Sequence, residues 1–231
     1  MKSTEFFKIK VGYTNCFLVK AENGYILIDS GLPGETDILF NFFKDREIPL
    51  DSIRYLVLTH THYDHTGGAA LIKEKTGAKI IIHKDEAENL ESGYSAIPRG
   101  VNFWGKVAEK VSILVRHSYD PVRADIIMED KLDLKGMGVD GIILHTPGHT
   151  KGSISLILAS GEAFVGDLCM NVKLPFVKRG MTYFAEDKNT LLRSWKKLID
   201  GGVETIYPSH GEPFGAGCLE EVWEKFKAVW G

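Results

Sequence analysis

Residues 59–68 read Thr59-His60-Thr61-His62-Tyr63-Asp64-His65-Thr66-Gly67-Gly68, directly after the apolar run Arg54-Tyr55-Leu56-Val57-Leu58. The run predicts a strand over 54–59, and Ala69 to Lys75 predicts a helix that stops at Gly77. A strand therefore delivers three imidazoles and one carboxylate, His60, His62, Asp64 and His65, into a single loop. Crowding that many nitrogen and oxygen donors is unfavourable without a cation to offset their desolvation. Neutral imidazole with carboxylate suits zinc, and also iron or manganese, whereas calcium prefers oxygen alone. A lone histidine at a strand end is more often structural, and His83 and His117 take that reading.

Three further candidates end β-like runs elsewhere: His149 in Thr146-Pro147-Gly148-His149-Thr150, Asp167 in Val165-Gly166-Asp167, and His210 in Tyr207-Pro208-Ser209-His210-Gly211. Glycine beside each permits a tight turn. Taken singly these are weak signals; together they can converge on one edge of a sheet assembly.

The rest of the chain supplies such an assembly. Residues 14–20 and 24–29 predict antiparallel hairpins around Glu22-Asn23-Gly24, and 78–83, 139–145, 153–159 and 162–166 predict further strands. Ile38, Leu39, Phe42 and Phe43 recur at helical spacing before Pro49. Two late helices carry Leu191, Leu192, Trp195, Leu198 and Ile199, ending at Gly201-Gly202, and Leu219, Val222, Trp223, Phe226 and Val229. Strands and helices come in two rounds, which predicts an α/β chain of two packed sheets with helices outside. Residues 84–133 are the variable part. There Val101, Phe103, Trp104, Val107, Val111 and Leu114 predict an amphipathic helix after Ser92-Gly93 and Pro98-Arg99-Gly100.

The chain has 231 residues, 44% of them hydrophobic, enough for one large domain, and no linker divides it. A formal charge of −3 lacks the basic footprint of a nucleic-acid binder, so neither nucleic acid nor membrane is expected as a partner. No signal-peptide core follows Met1 to Glu5, and cytoplasmic location is the expectation. Cys16, Cys169 and Cys218, odd in number and far apart, read as small core residues rather than a disulfide framework.

The ordered set THTHYDHTGG, TPGHT, VGDL and YPSHG, preceded by Ile28-Asp29-Ser30-Gly31, closely resembles the metallo-β-lactamase superfamily. The resemblance implies a four-layer αββα sandwich over residues 1–231, with the variable insertion near 84–133. It implies that His60, His62 and His149 bind one metal ion, that Asp64, His65 and His210 bind a second, and that Asp167 bridges them. Two Zn2+ per chain are expected, with Fe or Mn as alternatives. A water activated between them would hydrolyse a small-molecule ester, thioester, lactone or phosphoester. Asp64 would also act catalytically, orienting the nucleophile and passing a proton to the leaving group. Asp29 is expected either to fix an imidazole through its ring N–H or to serve as a plain turn residue.

Departures from the branches of that family narrow the field. His62 stands where flavin-linked di-iron relatives carry Glu, and Asp167 where true β-lactamases use other residues. Hydroxyacylglutathione hydrolases add a C-terminal helical domain, while about twenty residues follow His210 here; acyl-homoserine lactonases place a tyrosine where this chain has Met170. A mono-iron persulfide dioxygenase, holding iron through His60, His149 and Asp167, is the alternative, and a non-catalytic metal-binding module ranks last. Tyr94, Phe103 and Trp104 near Arg99 either cover the cleft or pack a helix, and Lys173, Lys178 and Arg179 form a basic cluster that either docks an anion or is solvated.

Overall fold

The computed structural model describes residues 4–96, 99–112, 117–172 and 179–230. Pro98, Leu114, Lys173 and Lys178 of the expectations above lie outside the described residues.

One sheet takes the strands in chain order: β1 (Phe6–Val11), β2 (Thr14–Ala21), β3 (Gly24–Ile28), β4 (Ile53–Val57), β5 (Lys79–His83) and β6 (Ile126–Met128). Its first three strands are antiparallel, and β3 to β6 run parallel. The parallel connections need crossovers, supplied by α1 (Asp37–Asp45), by α2 (Tyr63–Thr66) with α3 (Ala69–Thr76), and by α4 (Ala87–Ser92) with α5 (Phe103–Ser112). The other sheet contains β7 (Lys131–Asp133), β8 (Gly141–His145), β9 (Ile154–Leu158), β10 (Glu162–Phe164), β11 (Thr205–Tyr207) and β12 (Phe214–Gly215), again in chain order. It is antiparallel except at β10–β11, which α6 (Lys188–Asp200) bridges; α7 (Ala216–Trp230) follows.

The strand sequences explain the layering. Successive side chains alternate faces, so a strand covered on both sides reads as a continuous apolar run. Cys16, Leu18, Leu27, Leu56, Ile80 and Ile82 face outward onto Leu39 and Phe43 of α1 and Ile72 of α3. Phe17, Val19, Ile26, Ile28, Val57 and Ile81 face inward, against Ile143, Ile154, Leu156 and Phe164 of the second sheet. On that sheet's outer face Ala163, Val165 and Ile206 meet Leu191, Trp195 and Leu198 of α6 and Leu219 and Val222 of α7. The order of layers is helix, sheet, sheet, helix.

Predicted strands and helices return within a residue or two at most ends. The chain differs in four places. The alternating Phe6-Phe7-Lys8-Ile9-Lys10-Val11 is strand β1, because its partner β2 supplies the ladder. The 84–133 segment begins with a turn of helix, and its far end carries β6 and β7, one in each sheet. A one-turn helix, α2, sits inside the histidine loop. On α5 the apolar residues Phe103, Val107 and Val111 stand exposed, at 70%, 39% and 55%, so that stripe is not core. Cys16 and Cys169 are buried, Cys218 partly so, and all three are free thiols. Among the described residues no helix is long and apolar enough to cross a membrane.

Candidate metal centre

The sequence-predicted ligands lie just past strand ends: His60 after β4, His149 after β8, Asp167 after β10 and His210 after β11. All three glycines beside them are required by the backbone, Gly211 at φ 95° included. Gly148 has φ 133° and Gly166 φ 56°, conformations that side-chain-bearing residues rarely adopt, and a Cβ on Gly166 would meet Thr59 Oγ1 at 2.6 Å. These turns bring all seven predicted residues into two adjoining groups. His60, His62, His149 and Asp167 each offer a ligand atom within 4.8 Å of the others, and so do Asp64, His65 and His210.

In the first group, His60 Nε2 lies 2.9 Å and His149 Nε2 3.1 Å from His62 Nδ1. His149 Nδ1–H donates to Phe184 O, which leaves the neutral ring's Nε2 lone pair aimed into the group. Burial strips these rings of charge. His62 falls to about 3, through desolvation and then the neighbouring His149; His60 is held well below its ordinary range by burial and then by His65, and His149 is lowered by burial. All three are therefore neutral near pH 7, the form that binds a metal.

The second group behaves oppositely. Asp64 Oδ2 lies 3.2 Å from His210 Nε2 and 3.7 Å from His65 Nε2. Burial opposes charge here too, but the carboxylates outweigh it. Asp167 and Asp64 lift His210 to about 10; Asp167, Asp64 and Asp29 lift His65 well above its ordinary range. Against the same desolvation, His65 and His210 hold Asp64 down at about 2 and Asp167 well below the carboxylate range. Asp167 touches both groups: Oδ2 is 3.7 Å from His149 Nε2, while Oδ1 is 3.4 Å from His65 Nε2 and 3.3 Å from His210 Nε2.

The surroundings hold this cluster still. His65 Nδ1–H donates to Asp29 Oδ2 at 2.7 Å, and the same carboxylate accepts from Thr59 N, Thr59 Oγ1 and Ser209 Oγ. Of the two readings for Asp29, imidazole anchoring is the one observed. Thr59 and Ser209 escaped the sequence reading, although each directly flanks a predicted ligand. So did Glu86, buried at 2%, whose carboxylate accepts from Thr61 N and Oγ1, between His60 and His62, and from Gly152 N. Asn15 braces the His210 turn by donating to Pro208 O and Gly211 O, and His210 Nδ1–H donates to Tyr13 O. The two histidines read as structural stay outside: His83 stacks on His145, and His117 lies beside the Tyr63 ring.

The sequence profile of the metallo-β-lactamase superfamily matches residues 9–210. The chain belongs to that superfamily. Among similar proteins is the probable metallo-hydrolase YflN of Bacillus subtilis (strain 168), 28% identical over 208 residues that span 83% of this chain and 76% of YflN. Another is the acyl-coenzyme A thioesterase MBLAC2 of Homo sapiens, 29% identical over 230 residues spanning 89% of this chain and 75% of that one. Among solved structures, the BLEG-1 B3 metallo-β-lactamase superposes with a TM-score of 0.70 at 22% identity, covering 94% of this chain and 97% of the other, a likeness of fold. With such relatives, the chain is a hydrolase of the metallo-β-lactamase fold that uses a metal cofactor.

The donors of this superfamily member fit a metal on structural grounds. His65 Nε2 and Asp167 Oδ1 are buried without a hydrogen-bond partner, and they point at each other across 3.4 Å. Buried polar atoms are rarely left so. The second-group imidazoles and carboxylates converge on one space, where a cation would take the place of the protons that the raised His65 and His210 hold.

A cleft of about 720 Å³ opens over the cluster, with His62, Asp64, Asp167 and His210 in its floor. Its walls are mainly apolar and aromatic: Tyr13, Tyr63, Ala108, Val111, Met170 and Phe184 among them. Helix α5 thus reaches the cleft through Ala108 and Val111, whereas Tyr94 and Phe103 stand in solvent. The cation on the described wall is Lys10 rather than Arg99 or Arg179, both of which are exposed elsewhere.

Proposed function

We propose that this hydrolase cleaves a small acyl substrate, an ester, thioester or lactone with an apolar acyl group, at a centre of two zinc ions held by His60, His62 and His149, by Asp64, His65 and His210, and by Asp167 between them. The observation that carries the reading is the meeting of three neutral imidazole nitrogens with a carboxylate whose second oxygen faces two more imidazoles. When bound, the metals supply a water of lowered pKa and a Lewis acid for the substrate oxygen.

The chain's own residues do the rest. Asp29 and Glu86 hold the histidine loop at both ends, so the donors need no reorganisation. Asp64, which accepts a 3.4 Å contact from Thr14 Oγ1 and whose Oδ2 faces His210, takes the proton of the attacking water and returns it to the leaving group. The cleft walls exclude water from an acyl chain. Among their described residues one lysine offers little grip on a phosphodiester, so the acyl substrates rank above phosphoesters. A relative named as an acyl-coenzyme A thioesterase supports a thioester in particular.

The test is elemental analysis of protein purified without added metal, with esters, thioesters, lactones and phosphodiesters assayed under air and under nitrogen. Close to two zincs per chain with oxygen-independent acyl hydrolysis is the expected result. One iron per chain with oxygen uptake on persulfides would overturn it in favour of the dioxygenase alternative.

A further inference from the structure

Two tyrosines meet at the mouth of the cleft in a way that packing does not require. The strands β1 and β2 pair Val11 with Thr14, leaving Gly12-Tyr13 as a two-residue turn, and Gly12 takes φ 60° as the first central residue. The turn lifts Tyr13 over the cleft, its ring 5.7 Å from that of His210. Tyr63 comes from elsewhere, at the first position of α2, where one helical turn aims it into the same cleft. The two hydroxyls lie 2.5 Å apart. Rings that were merely filling space would gain nothing from bringing their polar ends together at a half-exposed surface.

The proton count of such a pair matters. Two neutral phenols carry two O–H bonds, and only one of them is used between the oxygens. The phenol that accepts keeps its own O–H, made a better donor by polarisation along the chain of hydrogen bonds. Among the described residues no other hydrogen bond reaches either hydroxyl. The free O–H sits in the cleft that Asp64, Asp167 and His210 line, and the turn carrying Tyr13 is anchored to that site through His210 Nδ1 and Asn15.

We propose that the Tyr13–Tyr63 pair is a hydrogen-bond donor to the acyl oxygen of the substrate, the atom on which negative charge develops as water adds. The inference rests on the acyl-hydrolase reading and adds residues to it. Such a donor acts more strongly on the developing oxyanion than on the ground-state carbonyl, so it raises the rate as well as binding. Because either phenol alone still carries an O–H, the two substitute for one another.

The experiment compares wild type with Tyr13→Phe, Tyr63→Phe and the double variant at matched metal content and melting temperature. Each is assayed on aryl acetates of graded leaving-group acidity and titrated calorimetrically with methylphosphonate, a tetrahedral anion that is not hydrolysed. Each single variant is expected to lose a few-fold in kcat/KM, and the double variant tenfold or more, by the same factor along the whole series. Methylphosphonate is expected to bind the double variant about tenfold more weakly, the equivalent of 1.4 kcal/mol. A double variant that matches wild type in both readouts overturns the proposal. So does a loss that grows as the leaving group becomes poorer, since that places the donor on the leaving atom. A metal-loaded wild type that hydrolyses nothing would instead sink the acyl-hydrolase reading, and unchanged methylphosphonate binding would then sink the tyrosine pair as well.

Discussion

The histidines of the centre divide into two groups that share burial and differ in company. His60, His62 and His149 are driven neutral by burial, which neighbouring imidazoles reinforce at His60 and His62, whereas His65 and His210 face Asp64 and Asp167, with Asp29 also on His65, and are held protonated. One residue type in one buried cluster therefore takes opposite charge states, decided by whether carboxylates are near enough to outweigh desolvation. The first group is ready for a metal as it stands. The second must first release protons, so the two candidate sites are expected to load with different pH dependence.

The largest effect should come from the residue that belongs to both groups. Asp167→Asn is expected to empty both candidate sites and abolish hydrolysis. It should also cost the metal-free protein about 3–5 kcal/mol, the loss on removing one partner from a buried ionic network. Elemental analysis and thermal unfolding check this; retention of both metals would mean that Asp167 does not join the groups. His62→Ala and His65→Ala separate them. Each variant is expected to lose about one metal per chain and most activity, and a loss of both metals from either would show the groups to be a single binding unit.

A smaller effect is expected from the support of the second group. Asp29→Asn should weaken one metal about 10–100-fold in a chelator competition while leaving the other nearly unaltered. Equal weakening of both would move Asp29 from orienting His65 to holding the whole loop through Thr59. The contrast in charge also predicts a pH profile for unfolding of the metal-free protein. His62 and Asp64 have folded pKa values below their unfolded ones, so their stabilisation fades as pH falls from about 6.5 toward 2. His210 is raised, so its contribution is full below about 6.5 and is lost as pH climbs toward 10. Maximal stability is expected near pH 6.5, and metal should erase the alkaline decline by replacing the protons. A metal-free profile flat from pH 6.5 to 10 would contradict the charged state of the second group. The smallest effect belongs to Glu86→Gln, which keeps part of the bonding to Thr61. Metal affinity there should fall about 2–10-fold, the value of one net hydrogen bond, in the same competition assay.

Legibility along the chain followed the range of the interactions. Strands β2 to β5 and β8 to β10 stand out because burial on both faces leaves an apolar run in a few consecutive residues. Strand β1 did not, since its lysines alternate with its apolar residues and its pairing with β2 is what makes it a strand. The α5 stripe misleads for the opposite reason: helical spacing is local, but whether Phe103 and Val107 find a surface to cover is not. The variable segment also concealed β6 and β7, whose short runs gain their ladders from β5 and β8.

By itself the sequence determined the layered α/β architecture, the positions of the seven candidate ligands and the metal chemistry they suit, because each apolar run, its terminal glycine and its donor side chain are neighbours in the chain. Tertiary structure alone decided which imidazoles are neutral and which charged, that Asp29 and Glu86 brace the histidine loop, and that Tyr13 meets Tyr63. The bracing contacts and the tyrosine pair join residues 25 to 180 positions apart across a few ångströms, and such distances exist only once the chain has folded.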